Sequence, residues 1–202
     1  MSKLETNTID TISGSTNLTL GGTNATDITI PSGVTLTNNG TASGFGKVLQ
    51  VVSITKTDTF SASVATGTYT DITGLSISIT PSSASNKILI FAKVDGGADS
   101  GLSRPQYYRL LRDSTVIGSG VTEGNRPGNS FSSGAYYARS MISGSLNFLD
   151  SPATTSAITY KIDVSHESGA TSTVYVNRSS IDDNLGATKR GISIITLMEI
   201  AG

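Results

Sequence analysis

The 202-residue chain has no cysteine, no tryptophan, a single histidine and only 14% charged positions. Without cysteine there can be no disulfide framework and no thiolate metal site. Lysine and arginine number 14 against 15 acidic residues, a formal net charge of -1. That balance gives no electrostatic footprint for nucleic acid or an anionic membrane. Apolar runs long enough to span a bilayer are missing, and the opening Met1-Ser2-Lys3-Leu4-Glu5 lacks the apolar core of a signal peptide. Proline is scarce, at 5 residues, whereas glycine reaches 22. Serine, threonine, glycine and asparagine fill the space left by the missing charges. Disorder would bring high charge and few β-branched residues. Valine, isoleucine and threonine are instead abundant, so the composition predicts an all-β protein studded with hydroxyls.

Residues 1–46 and 47–202 have different textures, and the sequence predicts a short-stranded shaft or attachment segment followed by a β-sandwich head. In the first part, brief alternations such as Leu18-Thr19-Leu20 and Ile28-Thr29-Ile30 are separated by Gly21-Gly22, Pro31-Ser32-Gly33 and Asn39-Gly40. Period-two alternation marks half-buried strands, and Gly, Asn and Pro clusters mark reversals. Each strand offers few apolar side chains, and an isolated two-stranded ribbon is marginal in water. The segment is therefore expected to borrow a hydrophobic partner. Three copies could direct Ile12, Leu18, Leu20, Ile28, Ile30, Val34 and Leu36 at a shared axis, each burial worth ~1.5–3 kcal/mol. The small-residue stretch from Gly40 to Gly46 reads as a linker.

Beyond the linker the strands lengthen. Strands are expected at Lys47–Ile54, Tyr69–Ile72, Leu75–Ile79, Lys87–Val94, Tyr107–Arg112, Thr115–Ile117, Ala135–Ile142, Ser145–Leu149, Ile158–Val164, Thr173–Val176 and Ile192–Glu199. Leu75, Ile77 and Ile79 share one face while Ser76 and Ser78 face away. Ile88-Leu89-Ile90-Phe91 is apolar on both faces, as a central strand would be. Asp113-Ser114 reads as a hairpin turn. The strongly apolar C-terminal strand should lie mid-sheet, tying the terminus down. This number and spacing of strands suggests a sandwich or jelly roll.

Candidates for chemistry are few. His166 lies in Asp163-Val164-Ser165-His166-Glu167, but triad partners converge from separate segments rather than standing in a row. A strand end or turn is the plainer reading. Asp182-Asp183-Asn184 offers oxygen ligands without a recognised calcium-loop spacing. Gly44-Phe45-Gly46 lacks the lysine and following helix of a phosphate loop. Paired carboxylates would have to converge from Asp95, Asp99, Glu123 and Asp150, and nothing in the sequence brings them together. No catalytic residue, metal site or cofactor is expected. Two long Gly-rich loops stand out instead, over 95–105 and 119–133, the second followed by Tyr136 and Tyr137. Arg104, Glu123, Asn125, Arg126, Asn129, Tyr136 and Tyr137 combine planar donors, amides and aromatic rings, the chemistry of sugar recognition. Loops on a rigid β scaffold are where binding usually resides. The same loops could equally pack between subunits.

The opening run Lys3 to Asp10 with Gly14 to Leu20 resembles the start of fibre and other structural proteins of marine bacteriophages. Asp71–Ile79, Asn86–Ile90, Phe148–Ser156, Val174–Arg178 and Arg190–Glu199 are similar to the distal head domains of such proteins. The resemblance implies a homotrimer with compact heads shaped like the C1q and tumour-necrosis-factor jelly roll. It implies a virion component folded and assembled in the bacterial cytoplasm, joined to other virion proteins through its N-terminal segment. Its head would contact a host surface glycan or protein, with no nucleic acid bound and no membrane insertion. A capsid-decorating or tail-assembly protein without receptor binding is the alternative. A virion enzyme fits least, because depolymerases use longer, acid-lined β-helices.

Overall fold

Hydroxyl residues alternating with aliphatic ones favour strands with one wet and one dry face. In the computed structural model, which describes residues 48–97, 105–134, 137–166 and 169–202, this pattern forms eleven strands and no helix among those residues. The chain divides into the units Met1–Phe45 and Gly46–Gly202, and the described residues all belong to the second. The shaft positions Ile12, Leu18, Leu20, Ile28, Ile30, Val34 and Leu36 lie outside the described residues.

The strands are β1 (Val48–Lys56), β2 (Phe60–Val64), β3 (Thr70–Ile79), β4 (Lys87–Gly97), β5 (Pro105–Arg112), β6 (Thr115–Ile117), β7 (Phe131–Gly134), β8 (Met141–Asp150), β9 (Ile158–His166), β10 (Ser172–Val176) and β11 (Ser193–Ile200). They form two antiparallel sheets packed as a β-sandwich. In the first, β11 lies between β1 and β4, β8 covers the other edge of β4, and β10 and β2 continue from its far end. In the second, β9 is flanked by β3 and β5, and β6 and β7 share the outer edge of β5.

Two expectations need correction. Tyr69–Ile72 and Leu75–Ile79 are one strand, β3, whose pairing with β9 slips between Asp71 and Ser76. Gly74 sits in that irregularity at φ +83°, a conformation glycine adopts without penalty. No strand spans Ala135–Ile142: β7 ends at Gly134, Ser140 N–H donates to the Tyr137 carbonyl at 2.8 Å in a turn, and β8 begins at Met141. Phe60–Val64, which the sequence reading passed over, is the short edge strand β2.

The core lies where the two inner faces meet. Ile88, Ile90, Ala92 and Val94 of β4, with Ile195 and Leu197 of β11, pack against Tyr108, Leu110, Ile162 and Val164. Polar latches close the sandwich at both ends. At one, Asp150 of the first sheet accepts from Arg112 at 2.9 Å and from the Tyr160 hydroxyl at 2.7 Å, both from the second. Burial pushes the Tyr160 hydroxyl far up, so it donates at any ordinary pH. At the other end, His166 Nε2 meets the Val64 carbonyl at 2.7 Å, linking β9 to β2. Nearby, the Tyr108 hydroxyl lies 3.0 Å from Gln106 Oε1 and 3.1 Å from Ser133 Oγ.

Candidate functional site

The outer face of the second sheet is polar along its length. Asp71 pairs with Lys161 at 2.7 Å, and the Ser78 and Thr159 hydroxyls meet at 2.8 Å. Arg109 clasps Asp163 through two nitrogens, its Nε 3.2 Å from both carboxylate oxygens. Burial pushes the Asp163 carboxyl up, and the Arg109 guanidinium pulls against it.

Toward the Pro105 end, this ladder gives way to a cavity of about 470 Å³. Its floor follows from strand register. Tyr107 of β5 stands opposite Ser165 of β9, and Tyr69 immediately precedes Thr70, which pairs with Val164. Tyr69, Ser165 and Tyr107 therefore fall side by side across three strands, and all three line the cavity. The Arg109 guanidinium lies 3.5 Å over the Tyr69 ring, fixing it against the ladder. Burial pushes the Tyr69 hydroxyl up.

The segment between β6 and β7 forms the roof. Its ends are anchored: Ser130 N–H donates to the Tyr108 carbonyl at 2.9 Å, and Gly120 N–H donates to the Asn129 carbonyl at 3.1 Å. At the tip, Glu123 and Arg126 exchange backbone hydrogen bonds at 3.1 Å in each direction around Gly124 and Asn125. Gly124 supplies the positive φ of +57° this tight reversal uses. Asn125, Arg126, Pro127 and Asn129 form the wall facing the tyrosines. The Arg126 guanidinium lies 3.2 Å from the Glu123 carboxylate, and both side chains are exposed. Asn129 Nδ2 donates to the Phe131 carbonyl at 2.8 Å, which leaves its oxygen available as an acceptor.

Of the residues the sequence singled out, Asn125, Arg126 and Asn129 come together in this cavity, with Glu123 bound to Arg126 behind them. Tyr137 is 77% exposed and belongs to the turn before β8, not to the cavity lining. Arg104 and Tyr136 lie outside the described residues. Sequence reasoning missed Tyr69 and Tyr107 as site residues, and weighed Ser165 only as a triad member. Alternation could have flagged Tyr107, since Tyr108 and Leu110 face inward and Tyr107 must then face out.

Asp99 and Glu167 lie outside the described residues; His166 also lines the cavity, and the other described acidic candidates are engaged elsewhere. Ser165 and His166 are consecutive in a strand, so their side chains leave opposite faces, and Asp163 is held by Arg109. Asp182 accepts from Arg190 at 2.8 Å and is paired with Arg178, while Asp183 is held by Arg139 and Thr188. Both carboxylates are thus engaged by arginine guanidinium groups. Asp95 and Asp150 stand at opposite ends of the β4–β8 ladder, opposite Ser143 and Ile88 respectively. At ~3.3 Å per residue this separates them by roughly 23 Å, too far for a carboxylate pair to share one bond.

No family model matches the chain, and no curated protein matches it. Among solved structures, the VP2 subviral particle of infectious bursal disease virus aligns at 15% identity and a TM-score of 0.39, covering 75% of this chain and 38% of that one. The Gx strain of the same virus aligns at 16% identity with the same TM-score, covering 75% and 37%. The chain thus spans well under half the length of the structures it aligns with. The assignment as a β-sandwich rests on the two sheets themselves.

Proposed function

We propose that this protein is a non-enzymatic structural component of a bacteriophage virion, a homotrimeric tail fibre or spike whose head contacts the host cell surface. The observation that carries the host-contact reading is the cavity beneath the β6–β7 segment. A rigid sandwich presents two tyrosines, two amides and an arginine in one recess, the arrangement by which small ligands are usually held.

The trimer reading is supported by the outer face of the first sheet. Register aligns Leu149, Leu89, Met198 and Val51 across β8, β4, β11 and β1 in one row. Phe91 lies in the next row, and Ile200 with Val48 in the row on the other side. Val51, Leu149, Val48 and Phe91 remain 39–53% exposed. The Phe91 row also carries Asn147, Thr196 and Ser53, and Lys87 stands beside Ile200, so the apolar centre is the Leu149–Val51 row with Phe91, Ile200 and Val48 at its margins, inside a more polar surround. Exposed apolar side chains clustered in adjoining rows, with polar residues around them, are what an interaction surface presents. Its occupant in this reading is a second copy of the same head, because a rotationally closed oligomer covers the patch on every protomer.

The test is adsorption competition with purified full-length protein. A receptor-contacting fibre blocks phage adsorption, and Asn125→Ala with Arg126→Ala abolishes the block without altering oligomer mass. Failure of the wild-type protein to compete would favour the decorating role and sink the host-contact reading.

A further inference from the structure

We infer that the cavity between the tyrosine floor and the β6–β7 roof selects a neutral saccharide over an acidic one. The inference rests on the host-contact reading and narrows it to a ligand class. Three observations carry it.

The first is the floor. Tyr69 and Tyr107 bracket Ser165 on a flat sheet face, and Arg109 holds the Tyr69 ring in place. Aromatic rings in a recess provide apolar area with a polar tip, which suits a sugar ring carrying C–H groups on its face and hydroxyls at its rim. The second is the wall. Asn129 offers an acceptor oxygen with one of its two N–H donors committed to the Phe131 carbonyl, and Asn125 stands at the tip of the Glu123–Arg126 reversal. An amide can both donate and accept, as can each sugar hydroxyl.

The third observation is charge cancellation. Among the described residues, Arg126 is the one arginine or lysine lining the cavity and no carboxylate lines it, while His166, which also lines it, meets the Val64 carbonyl through Nε2. The Arg126 guanidinium is countered by Glu123 at 3.2 Å. Arg109, behind Tyr69, is engaged by Asp163. A site for a uronate or sialate would present a guanidinium open to a bidentate pair with the ligand carboxylate. Among the described residues, both nearby guanidinium groups, those of Arg126 and Arg109, already face a protein carboxylate. An acidic sugar would have to displace Glu123 or meet its repulsion, whereas a neutral sugar meets neither. The roughly 470 Å³ available lies within the range of about 300–1,000 Å³ typical of small-ligand sites.

The test uses the full-length protein on an array of neutral and acidic bacterial glycans, followed by titration calorimetry with the strongest binder and with trigalacturonate as an acidic probe. The expected result is binding to at least one neutral glycan, with trigalacturonate at least tenfold weaker. Asn125→Ala and Tyr107→Ser should each weaken the neutral binder about tenfold or more. Glu123→Gln should raise trigalacturonate affinity severalfold, because it uncovers Arg126. Preference for acidic glycans in the wild-type protein would overturn the inference, as would a peptide or protein ligand with no glycan bound. Either result could coincide with intact adsorption competition, so the ligand class can fail while the host-contact reading stands.

Discussion

The two outer faces of this sandwich are built on the same strand geometry, yet they differ in chemistry: only the first carries a continuous apolar row from strand to strand. On the second sheet, the outward positions of β3, β9 and β5 pair Asp71 with Lys161 and Arg109 with Asp163, then end in the tyrosine floor. On the first, one row of outward positions across β8, β4, β11 and β1 reads Leu149, Leu89, Met198 and Val51, with Phe91 in the next row among Asn147, Thr196 and Ser53. Both inner faces are mainly aliphatic and aromatic, as the common core requires, with buried polar groups such as Asp150, Gln106 and Glu199 toward their ends. What distinguishes the outer faces is what each has to meet. A face meeting water or a hydroxylated ligand gains from charge pairs and hydroxyls. A face meeting another copy gains from shape and apolar area, and charges there would need partners across the interface.

The contrast can be probed by removing side chains from each face. The largest stability effect is expected on the polar one. Asp163 is buried, and Asp163→Ala leaves Arg109 without its carboxylate, at a cost of ~2–3 kcal/mol in urea unfolding. The same change should loosen Tyr69 and weaken ligand binding at the cavity. A melt within 0.5 kcal/mol (roughly the scatter of surface substitutions) would contradict the structural importance of the ladder.

The apolar sheet keeps a carboxylate away from its outer face. Glu199 of β11 is buried and accepts from Gln50 Nε2 at 2.6 Å, from Ser82 N–H and Oγ at 2.7 Å, and from Asn86 Nδ2. Burial opposes its charge, but these donors together outweigh burial and hold the carboxyl at about 2, below its ordinary value of 4.5. A depressed carboxyl stabilises the fold above its unfolded pKa, and that contribution is lost as pH falls. Glu199→Gln should therefore cost ~1–2 kcal/mol at neutral pH. The gap between wild type and variant should close as pH drops from 4.5 toward about 2. A constant gap across that window would refute the assignment.

The smallest effect is expected at the exposed end of the polar ladder. Asp71 is 59% exposed in its pair with Lys161, so Asp71→Asn should change stability by less than ~0.5 kcal/mol, and less still in high salt. A loss as large as that of Asp163→Ala would mean the ladder acts as one unit.

Much of the fold was legible because it is local. Leu75, Ile77 and Ile79 alternate with serines, and they turn inward as expected. Ile192–Glu199 was recognisable as a central strand from its run of apolar residues, and β11 occupies that place. The three-residue register slip around Gly74 and the missing strand at Ala135–Ile142 depend on pairing, which local pattern does not encode. Phe60–Val64 carries only two large apolar residues and escaped notice. The cavity was half legible. Its roof is a contiguous loop rich in Asn, Arg and Gly, which draws the eye. Its floor gathers Tyr69, Tyr107 and Ser165 from three strands distant in sequence, and only register brings them side by side.

The most direct test of the contrast is the native mass of the full-length protein by light scattering, wild type against Phe91→Lys with Leu149→Lys. Both side chains point outward from the first sheet and are partly exposed in the protomer, so the double variant should still fold, with an unchanged far-UV circular dichroism spectrum. The account predicts a wild-type trimer and a folded variant of one-third that mass. A variant that keeps the trimer mass, or a wild-type protein that is monomeric, would contradict it.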